Sequence, residues 1–355
     1  MTGQPAAEGK NPAAATSADA AGGMDALVTA AKNEGRLNAV AIPRDWANYG
    51  ALIDGFTKKY GIKVHVDNPN GSSEDEIKAV KDLRGKDSAP DILDIGNSFA
   101  HAATEEGLLA TYRVAPFDKI PKSQKDPRAR WYNDYGGYIS IGCNAGQVET
   151  CPESFADLLK PEYKGKVALN GNPNKSGSAF GGVYAAALAN SGSFSDIEPG
   201  LKFFKELNDS GNFNPVESTP ATVEKGQTPI SIDWDYLNAG YADQFRKKGM
   251  DWQVTVPTDG SYAQYYTQAI NKDAPHPAAA RLWQEYLFSA EGQNLRLDGY
   301  ARPVLMNAME KDGSIHEVAA AWLPAVEGAP RFPTEAQIIK AKKVIASGWA
   351  KAVSR

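Results

Sequence analysis

From Arg36 onward, short apolar runs alternate with segments whose apolar residues recur at helical spacing. LNAVAI (37–42) reads as a strand, and Leu52, Ile53, Phe56 and Tyr60 mark one face of a helix stopped by Gly61. IKVHV (62–66) is the next strand, followed by a helix with Ile77, Val80 and Leu83 on one face, for which Ser73 and Glu76 form a capping-box pattern. DILDI (91–95) and FAHAATEEGLL repeat the unit. A second series follows the aromatic stretch WYNDYGGY (131–138): strand YISIGCN, a short helix at ESFADLL, strand KVALNG, a helix opened by NKSGSAFGG, a helix at DIEPGLKFFKELN, strand TPISID, a helix from Tyr236 and strand WQVTVP. YAQYYTQAIN (262–271) alternates as a strand, and the remaining third is helical.

Strand–helix alternation predicts an α/β fold with parallel pairing and helices on both sheet faces. The chain of 355 residues exceeds the size of most single cores, so two lobes are expected. The first takes 36–138 and 258–310, the second 139–257, with residues 311–355 as helices covering the lobes. Two crossings, near 135–139 and 257–262, would form a hinge. Residues 1–23 are rich in Ala, Gly, Ser and Thr and are expected to be a flexible tether of the kind left when an export signal or lipid anchor is removed.

Hydrophobic residues at 42% and charged residues at 23% describe an ordinary globular protein, and a net charge of −5 without a basic stripe argues against nucleic acid. No run reaches the ~18 apolar residues of a spanning helix. Cys143 and Cys151 are close enough for either a disulfide or two unrelated buried thiols, and a disulfide is expected if the protein is exported. The four histidines lie at no metal-ligand spacing, so neither metal nor cofactor is expected. GxSxG, Walker, GxGxxG and HExxH patterns are absent, which lowers the case for an enzyme.

In open α/β sheets ligands sit beyond the carboxyl ends of the strands. The loops there offer Asp45, Trp46 and Tyr49, then Ser72, then Asn97 and Ser98. Ser176, Gly177 and Ser178 stand where a helix should begin, suited to holding an anion and equally to a plain N-cap. Asp233, Trp234, Asp235 and Tyr236 end an apolar strand. Two carboxylates beside aromatic faces suit an amine, although one Asp can cap the next helix while Trp234 packs inside. Tyr135, Tyr262 and Tyr265 join Trp131, Tyr138 and Tyr266 in expected loops or crossings, and about a third of such aromatics should face a ligand.

The runs PESFADLLKPEYKGKVAL (152–169), AINKDAPHPAAARLWQEYLFSAEGQ (269–293) and GYARPV after it together resemble the type II periplasmic solute-binding proteins of ABC importers, in the iron, polyamine and aminoethylphosphonate branch and closest to the spermidine/putrescine type. The resemblance covers about residues 35 to 310. It implies a two-lobed, non-enzymatic receptor that is periplasmic or extracellular, tethered as a lipoprotein in some members. Its partners would be a small polar ligand and a membrane permease. Two lobes joined by two short crossings are expected to make a monomer that compacts on binding. An amine-containing, polyamine-like or aminophosphonate-like solute is the leading expectation. Ferric iron or an oxyanion on the same fold is the alternative, and a two-lobed α/β enzyme a further one. In the iron branch paired tyrosines follow this strand. Asp235 and Tyr236 stand in their place, so only one tyrosine matches.

Overall fold

The computed structural model describes residues 11–326 and 328–354. Its elements run α1 (Met24–Glu34), β1 (Arg36–Val40), α2 (Tyr49–Tyr60), β2 (Lys63–Asp67), α3 (Ser73–Asp82), β3 (Ile92–Gly96), α4 (Asn97–Glu105), β4 (Trp131–Asn144), β5 (Val167–Leu169), α5 (Gly177–Ala189), α6 (Glu198–Asp209), α7 (Pro220–Glu224) and β6 (Ile230–Trp234). They continue α8 (Asp235–Arg246), β7 (Trp252–Thr255), β8 (Ala263–Ile270), α9 (Pro277–Leu287), α10 (Ala290–Asp298), β9 (Arg302–Pro303), α11 (Met306–Asp312), α12 (Glu317–Ala321) and α13 (Glu335–Ala352).

The chain divides into two compact units. The first holds 1–135, 265–298 and 303–315, and the second 136–264, 299–302 and 316–355. In the first unit β1 and β2 pair in parallel, Arg36 opposite Lys63, while β3 and β8 pair antiparallel with Asp94 opposite Gln268. In the second unit β4 runs antiparallel to β6, Ser140 opposite Asp233, and also to β7, while β5 and β6 are parallel. The expected all-parallel pairing is therefore corrected to a mixed one, because β8 returns to β3 from a distant part of the chain and not through a local β-α-β crossover.

Local chemistry explains the element ends. α2 stops at Gly61, whose φ of 72° is left-handed backbone that costs glycine nothing. α3 begins one residue earlier than its apolar pattern suggested. Ser72 and Asp75 form the capping box, and Glu76 turns inward to accept from Asp94 N at 2.8 Å. WYNDYGGY, expected as a connection, is the first half of β4, every residue of which is buried.

Of residues 1–23, the first ten lie outside the described residues. The following part packs on the first unit, with Ala15 and Ala21 buried, Arg281 Nε donating to Ala15 O at 2.7 Å and Arg113 N donating to Thr16 O at 2.8 Å. At the other end α13 packs on α6 within the second unit. Cys143 and Cys151 form a disulfide with their Cα atoms 5.9 Å apart. No helix among the described residues is long and apolar enough to cross a membrane.

Candidate functional site

The residues singled out by the sequence fall into two groups, one in each unit. In the second, β6 carries Asp233 and Trp234 to its carboxyl end, and α8 starts at Asp235. Asp233 is 1% exposed. Its Oδ2 accepts from Asn170 Nδ2 at 2.5 Å, its Oδ1 accepts from Trp234 N at 2.8 Å, and the Ser178 hydroxyl adds a third bond. Burial pushes its pKa up to about 6 against those donors. All three donors are neutral.

Asp235, two residues on, differs in its partners. Tyr138 N donates to Oδ1 at 2.9 Å and Arg302 Nε donates to Oδ2 at 2.9 Å, with both side chains of that ion pair 9% exposed or less. Burial raises the Asp235 pKa, and Arg302 opposes it. Arg302 also reaches Pro324 O. Gly137 permits this close approach, because a Cβ there would lie 2.2 Å from Asp235 Oδ1.

Ser176 is the N-cap of α5, accepting from Ala179 N at 3.2 Å while donating to Asn170 O at 2.5 Å, so its hydroxyl serves the fold. Gly177 is exposed and Ser178 buried. Trp234 and Tyr236 stack with ring centroids 6.4 Å apart and planes within 3°, Trp234 lies 6.2 Å from Tyr262, and Tyr262 stacks on Tyr184 at 5.1 Å. These four rings make a continuous aromatic row in the second unit, which begins at Trp234, the chain neighbour of Asp233. Tyr184 was not anticipated, since it lies inside an apolar helix and carries no distinguishing pattern.

In the first unit, Trp46 Nε1 donates to the Tyr135 hydroxyl at 2.9 Å, and that hydroxyl donates to Asp94 Oδ2 at 2.9 Å. Gln268 Nε2 donates to Asp94 Oδ1 and to the Tyr49 hydroxyl, each at 3.0 Å. Burial lifts Asp94 to about 6. Arg296 lies between the Tyr49 and Tyr135 rings, 4.0 and 4.1 Å from their centroids, and pairs with Asp134 at 2.8 Å with both side chains fully buried. Tyr266 stacks on Tyr135 at 5.4 Å and meets Trp46 edge-on at 5.8 Å.

The other first-unit candidates are dispersed. Asp45 is exposed, Ser72 caps α3, Asn97 donates to Asn133 Oδ1 at 2.9 Å at the start of α4, and Ser98 follows it. Tyr265 is buried on β8. Asp94, Gln268 and Arg296 were missed by sequence reasoning. An aspartate inside the apolar run DILDI was the available signal, because a charge in a buried strand needs partners. Among the described residues no three His, Cys, Asp or Glu side chains group to hold a metal ion.

Each of the two α/β units thus carries a polar and aromatic cluster. The family model for bacterial extracellular solute-binding proteins matches residues 87–324, and the chain belongs to that family. The spermidine/putrescine-binding periplasmic protein of Escherichia coli is 26% identical over 254 residues, 66% of this chain and 69% of that protein. An Fe(3+)-binding periplasmic protein of Serratia marcescens is 32% identical over 145 residues, 38% of this chain and 39% of that protein. In fold, the chain is similar to the periplasmic binding protein AfuA of Actinobacillus pleuropneumoniae, solved with fructose-6-phosphate. The TM-score is 0.64 at 20% identity, covering 90% of this chain and 98% of that one. The related proteins are periplasmic or extracellular binding proteins, and members of this family capture small ligands for ABC importer permeases.

Proposed function

We propose that this chain captures a small solute bearing a protonated amine, held by Asp233 against the wall of Trp234, Tyr236 and Tyr262, and delivers it as a monomer, without turnover, to its permease. The observation that carries this is the contrast among buried aspartates. Asp134 has Arg296 and Asp235 has Arg302, whereas Asp233 has only neutral donors among the described residues. A buried carboxylate costs several kcal/mol unless a positive charge compensates it, so the site is complementary to a cation. The stacked rings that start at its chain neighbour Trp234 supply aromatic faces for cation–π attraction. The name of the E. coli relative, spermidine/putrescine-binding, is consistent with such a ligand.

An acidic end does not suit Ser176–Ser178. The Ser176 hydroxyl is engaged by Ala179 N and Asn170 O, and Ser178 already serves Asp233, so an oxyanion there would meet the Asp233 carboxylate. Calorimetry against polyamines, aminophosphonates, quaternary amines, simple oxyanions and ferric complexes tests the reading. An amine should bind tightly, and Asp233→Ala should weaken it roughly a hundredfold or more. Trp234→Ala should cost about 1–2 kcal/mol. Tight binding of an amine-free anion or a ferric complex that is indifferent to Asp233→Ala would overturn it.

A further inference from the structure

We propose a second binding site, for a phosphate-type oxyanion, in a basic cleft of the first unit between α4 and the turn at 121–127. The cleft has a volume of ≈ 700 Å³ and is lined on the turn side by Lys122, Ser123, Lys125 and Arg130, with the carboxylates Asp126 and Glu105 also in its lining. All of these residues belong to the first unit, so the site is separate from Asp233 and its neighbours.

Its charges are poorly balanced by the protein. Lys125 Nζ donates to Phe117 O at 2.6 Å and lies 4.3 Å from the Phe117 ring, contacts that orient the ammonium without neutralising it. Burial lowers its pKa, and Arg113 and Lys122 lower it further against the opposing pull of Asp118. The nearby acids are occupied, Asp118 by Arg113 and Asp126 by Arg130, so no carboxylate among the described residues forms an ion pair with Lys122 or Lys125. Lys122 and Lys125, neither in an ion pair among the described residues, therefore leave the turn side of this concave surface with an excess of positive charge in a molecule whose net charge is −5. Ser123 adds a neutral hydroxyl to the turn side, and the carboxylate of Glu105 belongs to α4 on the opposite side, so an anion is favoured next to the turn. The volume admits a free phosphate ion or the headgroup of an anionic lipid, which share one recognition chemistry.

Two arms separate those sources. Titration with inorganic phosphate, followed by amide chemical shifts, reads the soluble ion. Cosedimentation with phosphatidylglycerol vesicles, against phosphatidylcholine controls, reads the headgroup. Saturable binding in at least one arm is expected, weakening as salt rises and falling about tenfold in Lys122→Ala/Lys125→Met. Lys122→Ala alone, at an exposed position that the fold does not use, should weaken it severalfold with an unchanged circular-dichroism spectrum. Absence of binding in both arms, or binding indifferent to both variants, overturns the proposal. The amine titration of the same variants is expected to be unchanged, so failure here leaves the Asp233 site standing.

Discussion

Asp233 and Asp235 are two residues apart on one chain turn, and each is buried, yet only Asp235 meets a guanidinium. Different behaviour follows. Asp233 titrates near 6 when empty, and a bound cation favours its ionised form, so affinity should be level above that pH and fall about tenfold per unit below it. Calorimetry across that range should show the slope in the natural chain and none in Asp233→Asn. Asp235→Ala leaves Arg302 buried without its counter-charge and should destabilise the fold by about 3–5 kcal/mol in urea, with Arg302→Met in the same chain restoring much of the loss. The carboxylates were legible in the sequence as a cluster. Their division of labour was not, because it is decided by Arg302, 67 residues away, and by Asn170, 63 residues away.

At the level of the element, what could be read locally was read well. Gly61 ends α2, Ser176 caps α5, and the strands at 230–234 and 263–270 follow their apolar patterns. Each rests on interactions within a few residues, which sequence periodicity reports directly. The cap of α3 was displaced because Ser73 and Glu76 imitate a capping box while tertiary contacts claim both, Ser73 Oγ accepting from Gly96 N and Glu76 from Asp94 N. The start of β4 escaped notice because its polar Asn133 and Asp134 are buried by partners from distant segments. The Cys143–Cys151 disulfide staples the end of β4 to the following loop. Closing a loop of 8 residues restricts the unfolded chain by about 2–3 kcal/mol, so Cys143→Ala/Cys151→Ala should melt at a lower temperature. Intact-mass measurement of exported protein should find no free thiol.

Across the whole molecule, buried acids dominate the response to pH. Asp94 and Asp233 are pushed up to about 6, and Glu76, Asp134 and Asp235 are raised as well. Between the ordinary carboxylate range near 4 and about 6 the folded chain therefore holds more protons than the unfolded one, and stability falls as pH rises through that window. Asp126 and Asp157, lowered by Arg130 and Lys160 among other donors, work the other way and lose their contribution below it. The unfolding temperature should rise on going from pH 7 to about 5 and then drop in stronger acid, as scanning calorimetry can follow, with Asp94→Asn flattening the first limb.

The order of segments in the two units has a further consequence, for synthesis. The first unit draws its last piece from 303–315, and the second lacks α13 until residue 352 is made. Neither half can be cut out as a continuous stretch, and neither is complete while the ribosome is still at work on the preceding segments. Domains made of one stretch usually begin to fold as they emerge. Here interleaving postpones completion of the first unit until residues 303–315 are made and of the second until α13 is made, which keeps the chain open for longer during synthesis.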